Sequence, residues 1–286
     1  MNDIQALMTL LLSKLHSDRL LLPTLPEIAV KVRSAADDPD INLQKMAQVI
    51  SHDPALSARI LKVANSAFIG RSIVVTTLVQ AVTRIGLMQV KNIATAMALE
   101  QLFVSHQPEI AQLMQLRWRQ SVDVTTSAMA LLQLYQLRQP HSSQLDVMTL
   151  AALLAGVGDL PLLAEAERHP ALFADTSMLE QACQQLSNPI AQAILQQWRL
   201  PSIFTAINAA HGQLLQGAVV DVLAQDANLY ATFIMLGKLS CGLLPIAIAE
   251  SVAQGALTHG LIEQPNFNKD DSFVQMKAGM AQMFAS

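Results

Sequence analysis

The side chains best suited to metal binding and proton transfer in this chain of 286 residues are seven histidines and two cysteines. No two histidines lie closer than 28 positions, so no helix can present a pair one turn apart, as an HExxH metal motif does. Cys183 and Cys241 lie 58 positions apart and form no CxxC pair, so we expect buried, reduced thiols. The sequence contains no Walker A or GxSxG motif either. Spacing alone therefore predicts no catalytic site.

The one His-Asp dipeptide, His52-Asp53, stands directly before Pro54. Aspartate followed by proline is a common helix start, because the carboxylate accepts a backbone hydrogen bond and proline has no N–H to satisfy. We therefore interpret Asp53 and Pro54 as helix-capping residues rather than as part of a metal site.

The composition favours helices, so helices must position any functional side chain. Apolar residues make up 52% of the chain, charged residues 14% and aromatic residues 4%. This composition excludes a disordered segment and differs from that of β-rich proteins. Apolar residues recur at helical spacing from Leu43 to Ile50 behind a capping Asn42, and Gly86 is placed to end a helix. The sequence predicts an all-α fold.

Charge is distributed unevenly along the chain. The net charge is −4, which predicts no general attraction to nucleic acid or to anionic membranes. Residues 54–99 nevertheless contain five basic side chains and no acidic one. They form either a basic face for an anionic ligand or acidic partner, or a solvated edge whose acidic neighbours come from elsewhere in the fold, and we favour the second interpretation. The five are Arg59, Lys62, Arg71, Arg84 and Lys91.

Four short motifs follow one another in the first hundred residues. They are Leu22-Pro23-Thr24-Leu25-Pro26-Glu27, Asp53-Pro54-Ala55-Leu56, Ala64-Asn65-Ser66-Ala67-Phe68, and Gln80-Ala81-Val82 with Ile85-Gly86-Leu87. In this order and spacing they resemble the HDOD family of bacterial signalling proteins, and a weaker similarity continues to His211. The resemblance implies an N-terminal helical bundle packed on a C-terminal domain related to HD-type metal-dependent phosphohydrolases. We place the bundle at residues 1–107 and the HD-like domain with its C-terminal helical extension at residues 108–286.

The residues of the third motif can be interpreted as stabilising the end of a helix and the interior of the bundle. Asn65 and Ser66 lie where a helix ends, and their side chains can bond backbone groups that the helix leaves without partners. Phe68 is expected to fill the interior of the bundle.

An HD hydrolase needs several histidine and aspartate ligands that converge from different helices on one or two metal ions. The resemblance places these ligands at positions where this sequence has mostly other residues. Alanine and glycine have no ligating side chain, and glutamine is a poor substitute for imidazole, so one histidine is all that remains. We therefore expect no bound metal, no other cofactor and no hydrolysis. The positions are Gln120, Ala155, Gly156, Ser187, Ala210 and His211.

The leading hypothesis is a non-catalytic signal-transduction module that binds another signalling protein through a hydrolase-derived scaffold. One alternative is an HD-type metal-dependent phosphohydrolase acting on a nucleotide or another phosphoester. The other is binding of a small anionic ligand or nucleic acid by the basic region. Nucleic acid ranks last, because Phe68 is the only aromatic residue there that could stack on a base. The oligomeric state is not determined by the sequence.

The N-terminus has no basic region and no A-x-A-like cleavage site, so we expect a cytoplasmic protein. The apolar stretch Val147–Gly158 is too short to span a membrane, and Leu229–Ala249 contains Lys238 near its centre, so we expect no membrane span.

The last predicted helix, within Asp270–Phe284, carries an apolar stripe that either packs on its own domain or docks a partner. The stripe consists of Phe273, Met276, Met280, Met283 and Phe284.

Overall fold

The structure, a computed structural model, describes residues 26–66, 74–169 and 176–284, together with residues 9, 11, 13, 14, 17 and 20–24. Within these residues the regular structure is helical and contains no strand, so the all-α prediction is confirmed. The helices are α1 (Glu27–Ala36), α2 (Leu43–Ser51), α3 (Pro54–Ala64), α4 (Leu78–Ile85), α5 (Leu87–Glu100), α6 (Pro108–Arg138), α7 (Leu145–Leu154), α8 (Asp159–Arg168), α9 (Thr176–Gln197), α10 (Ser202–Leu215), α11 (Asp226–Ser240), α12 (Ile246–Thr258) and α13 (Asp271–Ala281), with a 3₁₀ turn at Phe267–Lys269.

The predicted caps begin the N-terminal helices. The Asn42 side chain accepts a hydrogen bond from the backbone N–H of Lys45 at the start of α2. The Asp53 side chain accepts one from Leu56 at 2.8 Å, and Pro54 is the first residue of α3. His52 is exposed, and its Nδ1 lies 2.7 Å from a carbonyl oxygen of α2, so the His-Asp dipeptide is a helix junction.

Helices α1 to α5 pack on one another as a bundle. Helix α1 lies against α5, and α2 and α3 both lie against α4. Gly86 separates α4 from α5 by a single residue, and its φ of +88° lies in the left-handed region that glycine adopts without steric cost. The side chains of Met46, Ile50 and Ile60 at the centre of the bundle are fully buried.

The C-terminal part is organised around α6, which is 31 residues long. Helices α7, α11 and α13 pack against α6, while α9 packs against α8 and α10 packs against α11. Gly237 lets α11 lie directly on α6, because a Cβ at this position would lie 2.6 Å from the carbonyl oxygen of Val124.

The N-terminal bundle and the C-terminal part share one continuous apolar core. Helix α5 packs on α7, and Asn92 donates a hydrogen bond to the carbonyl oxygen of Asp146 at 3.1 Å. The Trp198 ring N–H donates to the carbonyl oxygen of Pro23 at 2.8 Å. The expected packing of bundle on domain is therefore present, while the boundary at residues 107 and 108 stays a prediction.

The C-terminal apolar stripe packs on its own chain. Helix α13 lies against α6, and Phe273 and Met280 are 3% and 0% exposed. Phe273 also meets Phe267 edge to face, with ring centroids 5.5 Å apart. Of the two interpretations of the stripe, internal packing is therefore the one the structure shows.

Among the described residues, one segment, Leu145–Arg168, is long and apolar enough by composition to cross a membrane, with a mean hydropathy of 1.9. In the fold it comprises α7 and α8, which are separated by turn residues 155–158. Within its most apolar window, 72% is buried inside the protein, as is typical of core helices.

Candidate functional site

A cavity of about 560 Å³ lies among α6, α9, α11 and the corner that joins α7 to α8, and we call it the central cavity. Gln120 lines it from α6, Ala155 and Gly156 line it from the corner, and Ser187 lines it from α9. These are four of the six positions at which the family resemblance places metal ligands. The fold brings them together around one space although they are far apart in sequence.

His211, the one imidazole among the six positions, borders a separate small void of about 10 Å³ beside the central cavity. Its side chain is 1% exposed on α10, and neither ring nitrogen has a hydrogen-bond partner in the described part of the chain. Burial, and then the positive charge of Lys238, hold the pKa of His211 well below its usual range, so the ring is neutral near pH 7. Ala210 is 5% exposed and lines neither of these two spaces.

Two cations and two carboxylates also line the central cavity, and the sequence analysis identifies none of them as a site residue. Arg117 Nε lies 3.6 Å from an oxygen of Asp159, and Arg117 Nη2 lies 3.7 Å from an oxygen of Glu180. The same guanidinium donates a hydrogen bond to the Gln120 side chain at 3.3 Å. Arg117 is therefore held between three partners from three helices.

Lys238 is the second cation and reaches the cavity from α11. No carboxylate of the described residues lies within 4.0 Å of its ammonium nitrogen. Burial lowers the pKa of Lys238; Asp159 opposes this effect, and Arg117 adds to it. A lysine near the centre of the otherwise apolar stretch Leu229–Ala249 is the sequence signal that could have identified this residue.

Cys183 lines the central cavity as a buried, free thiol. Burial, followed by the negative charge of Asp159, raises the pKa of this thiol far above its usual range. The thiol is therefore protonated at neutral pH, and a protonated thiol is a poor metal ligand and nucleophile.

The residues around the central cavity do not fit a catalytic metal. In the part of the chain that the structure describes, no three His, Cys, Asp or Glu side chains are grouped so that they could hold an ion. Asp159 is engaged by Arg117, and Arg117 and Lys238 place positive charge where a metal cation would have to bind. The side chains around the cavity therefore do not supply the metal ligands that hydrolysis by HD proteins needs.

The candidate basic surface contains cations with partners from outside residues 54–99. Lys91 lies 2.7 Å from Asp37, and Arg59 lies 3.5 Å from Glu100. Arg84 donates a hydrogen bond to the carbonyl oxygen of Ala64 at 3.2 Å, at the end of α3. Lys62 is in the last turn of α3, and Arg71 lies outside the described residues. The region is therefore not a continuous row of uncompensated positive charge.

Asn65 ties the end of α3 to the extended segment before α4. Its side-chain amide donates to the carbonyl oxygens of Leu61 at 3.0 Å and Val75 at 2.8 Å, and its oxygen accepts from the Val75 N–H at 2.7 Å. The buried Ser66 hydroxyl differs from the prediction, because it has no hydrogen-bond partner among the described residues. Phe68 lies outside them.

The comparisons with known proteins agree with this architecture. The model of the HDOD domain family matches residues 22–214. A crystal structure from Shewanella amazonensis SB2B, described as a candidate metal-dependent phosphohydrolase, is similar over 100% of both chains, with 35% identity and a TM-score of 0.89. An HDOD domain protein of unknown function from Geobacter sulfurreducens is 18% identical and shares the fold, with a TM-score of 0.64 over 99% of this chain and 100% of its own.

A similar sequence is that of an uncharacterized protein from Treponema pallidum (strain Nichols), which is 30% identical over 100 residues. The match covers 35% of this chain and 19% of that relative, so the chain corresponds to a small part of the longer protein.

Proposed function

Since the chain belongs to the HDOD family and shares its fold with HD-type phosphohydrolases, we propose that it is a non-catalytic signal-transduction module that binds another protein. In this proposal the hydrolase scaffold is retained as a rigid helical body, and the metal chemistry has been lost. The bound partner is another signalling protein of the cytoplasm.

The observation that carries the proposal is the chemistry of the central cavity. Gln120, Ala155, Gly156 and Ser187 line it at family ligand positions, yet none has an imidazole or carboxylate side chain. Two carboxylates do line it, but Asp159 is beside Arg117 and Glu180 is 60% exposed. Activation of water and neutralisation of phosphate charge by a metal would need ligands that these side chains do not supply.

The competing function is metal-dependent phosphoester hydrolysis. It is favoured by the structure from Shewanella amazonensis, which is 35% identical over the whole chain and is described as a candidate metal-dependent phosphohydrolase. If the chain were such an enzyme, Asp159 and Glu180 would be its remaining acidic groups in the cavity.

A hydrolase assay separates the two functions. The purified full chain is assayed on bis(p-nitrophenyl) phosphate, p-nitrophenyl phosphate and a panel of nucleotides, with manganese or iron added or with a chelator. We expect no metal-dependent turnover. Turnover that disappears in Asp159→Asn but persists in Asp271→Asn, a matched change at the exposed start of α13, would contradict the proposal.

Binding of nucleic acid through the basic region has less support. Arg59 and Lys91 have acidic partners at 3.5 Å and 2.7 Å, so nucleic acid would have to displace those carboxylates. Counterion release, the main source of affinity for nucleic acid, is correspondingly reduced.

The cytoplasmic location is proposed because Cys183 and Cys241 are both free thiols, which is usual in a reducing compartment. Affinity capture from native lysate, followed by mass spectrometry, tests the interaction role. We expect a protein with a kinase, receiver or cyclase domain to be enriched over capture with a bait of unrelated fold. Enrichment of nucleic acid alone would contradict the proposal.

A further inference from the structure

The central cavity is large enough for a small molecule. Its volume of about 560 Å³ lies within the range of roughly 300–1,000 Å³ that is typical of ligand pockets. A space of this size can hold a ligand, and the side chains that line it determine which kind of ligand binds.

The two cations and two carboxylates that line the cavity cancel in formal charge, but one carboxylate lies at the exposed rim. Arg117 is balanced by Asp159, whose side chain is 12% exposed, at 3.6 Å. Glu180 is 60% exposed, so water screens its charge at the cavity rim. Lys238 remains without a carboxylate within 4.0 Å among the described residues.

Both cations have unused hydrogen-bonding capacity. Arg117 Nε is buried and lacks a hydrogen-bond partner in the described part of the chain, because its contact with Asp159 is too long for a hydrogen bond. Lys238 is half-buried and has no carboxylate within 4.0 Å among the described residues, and burial lowers its pKa. An anionic group placed against these two side chains would accept hydrogen bonds from them. It would also restore the electrostatic stabilisation that their positive charges lose when they are removed from water.

The uncharged side chains that line the central cavity determine which kind of molecule can carry the acidic group. Leu215, Leu243 and Ile248 provide apolar surface. Asn188 and Gln184 provide neutral polar groups. The protonated Cys183 thiol adds no negative charge. The walls thus suit a molecule with one acidic group and an apolar body.

We propose that the central cavity binds a small amphipathic monoanion, whose acidic group contacts Lys238 and the guanidinium group of Arg117 and whose apolar body lies against Leu243 and Ile248. The acidic group is a carboxylate, a sulfonate or a phosphate diester. The proposal adds a ligand site to the proposed interaction module and does not depend on whether the chain is catalytic.

Two fluorescent probes with the same aromatic body test this site. The first is 8-anilinonaphthalene-1-sulfonate, an amphipathic monoanion, and the second is N-phenyl-1-naphthylamine, which lacks the sulfonate. We expect the sulfonate probe to bind the folded wild-type chain at one site. Lys238→Met should weaken binding of the sulfonate probe by at least about tenfold. It should change binding of the neutral probe less than twofold, because only the ion pair with the sulfonate is lost.

Two further variants serve as controls for the site. Lys269→Met removes an exposed lysine in the 3₁₀ turn and should leave both affinities unchanged. A Cβ on Gly156 meets no atom within 4 Å, so Gly156→Phe can extend into the cavity and should abolish binding of both probes. Near-ultraviolet circular dichroism establishes that each variant is folded before it is titrated.

Octanoate and diphenyl phosphate are then used to displace the bound sulfonate probe, and displacement by either supports the proposal and identifies the preferred acid. The proposal is overturned by unchanged affinity of the sulfonate probe in Lys238→Met, by full binding in Gly156→Phe, or by no saturable binding to the wild type. Loss of both probe affinities in Lys269→Met would equally overturn it. None of these outcomes bears on the hydrolase assay, so the two proposals fail separately.

Discussion

Gly158 is the position at which the smallest change should have the largest effect on this fold. It lies between α7 and α8, with φ −69° and ψ −15°, an ordinary helical conformation that alanine adopts without strain. A Cβ there would nevertheless lie 1.8 Å from the carbonyl oxygen of Ser187, 2.7 Å from its carbonyl carbon and 2.9 Å from the backbone nitrogen of Ala191. These are all backbone atoms of α9, so no side chain can rotate away.

The expected cost of Gly158→Ala follows from this geometry. Ordinary contact begins at 3.4 Å, so α8 and α9 must separate by more than an ångström at a packed interface. Overpacking of a core typically costs about 1–3 kcal/mol, and contact with rigid backbone places this case at the upper end. The entropic gain of alanine over glycine recovers only about 0.4–1 kcal/mol. We expect a net loss of about 2–3 kcal/mol, or a Tm lower by roughly 3–5 °C.

Gly156→Ala is the matched control, because it lies two residues away and its Cβ would meet nothing within 4 Å. Its φ is not in the left-handed region, so it should be neutral or stabilising by up to about 1 kcal/mol. The assay is thermal and urea unfolding followed by far-ultraviolet circular dichroism for both variants. Equal stability of the two variants would refute the close approach of α8 to α9, and with it the shape of the central cavity.

Two further predictions concern polar side chains, one buried and one at the end of α3. His211 is neutral in the folded chain and titrates near pH 6.5 when unfolded, so the unfolded state binds the extra proton. The free energy of unfolding, measured from urea midpoints, should therefore fall by up to about 1.4 kcal/mol per pH unit below pH 6.5. His211→Leu should flatten this pH dependence. His52→Leu, a control at an exposed position, should retain it. Asn65→Ala removes two hydrogen bonds to Val75 and one to Leu61 at the end of α3, and should cost about 1–3 kcal/mol in thermal unfolding. Asn65→Asp keeps the acceptor for the Val75 N–H and should recover part of that loss, and full stability of Asn65→Ala would contradict the bridging role.

Local features of the fold were predictable because they depend on neighbouring residues. Asn42 and Asp53 each cap a helix through a backbone N–H three positions ahead, and Gly86 ends a helix through its own φ. The spacing of apolar residues identified helical faces for the same reason. Four of the six positions at which the family resemblance places metal ligands also lie around one cavity.

Features that join distant parts of the chain were not predictable. Lys91 meets Asp37 and Arg59 meets Glu100, and nothing in the run of basic residues indicates which acids face it. Ser66 was expected to bond a backbone group, but its buried hydroxyl has no partner among the described residues.

The amino-acid sequence by itself determined the helical class, the helix caps and the family, because each rests on residue type, short-range hydrogen bonding or ordered motifs. It also shows that Ala155 and Gly156, where the family resemblance places metal ligands, have no ligating side chain. Only the tertiary structure decided that Arg117 from α6 and Lys238 from α11 share one cavity and that His211 is sealed beside it. Charge compensation and burial depend on distances in space between residues that are far apart in the chain, and for this reason the character of the cavity emerged only from the fold.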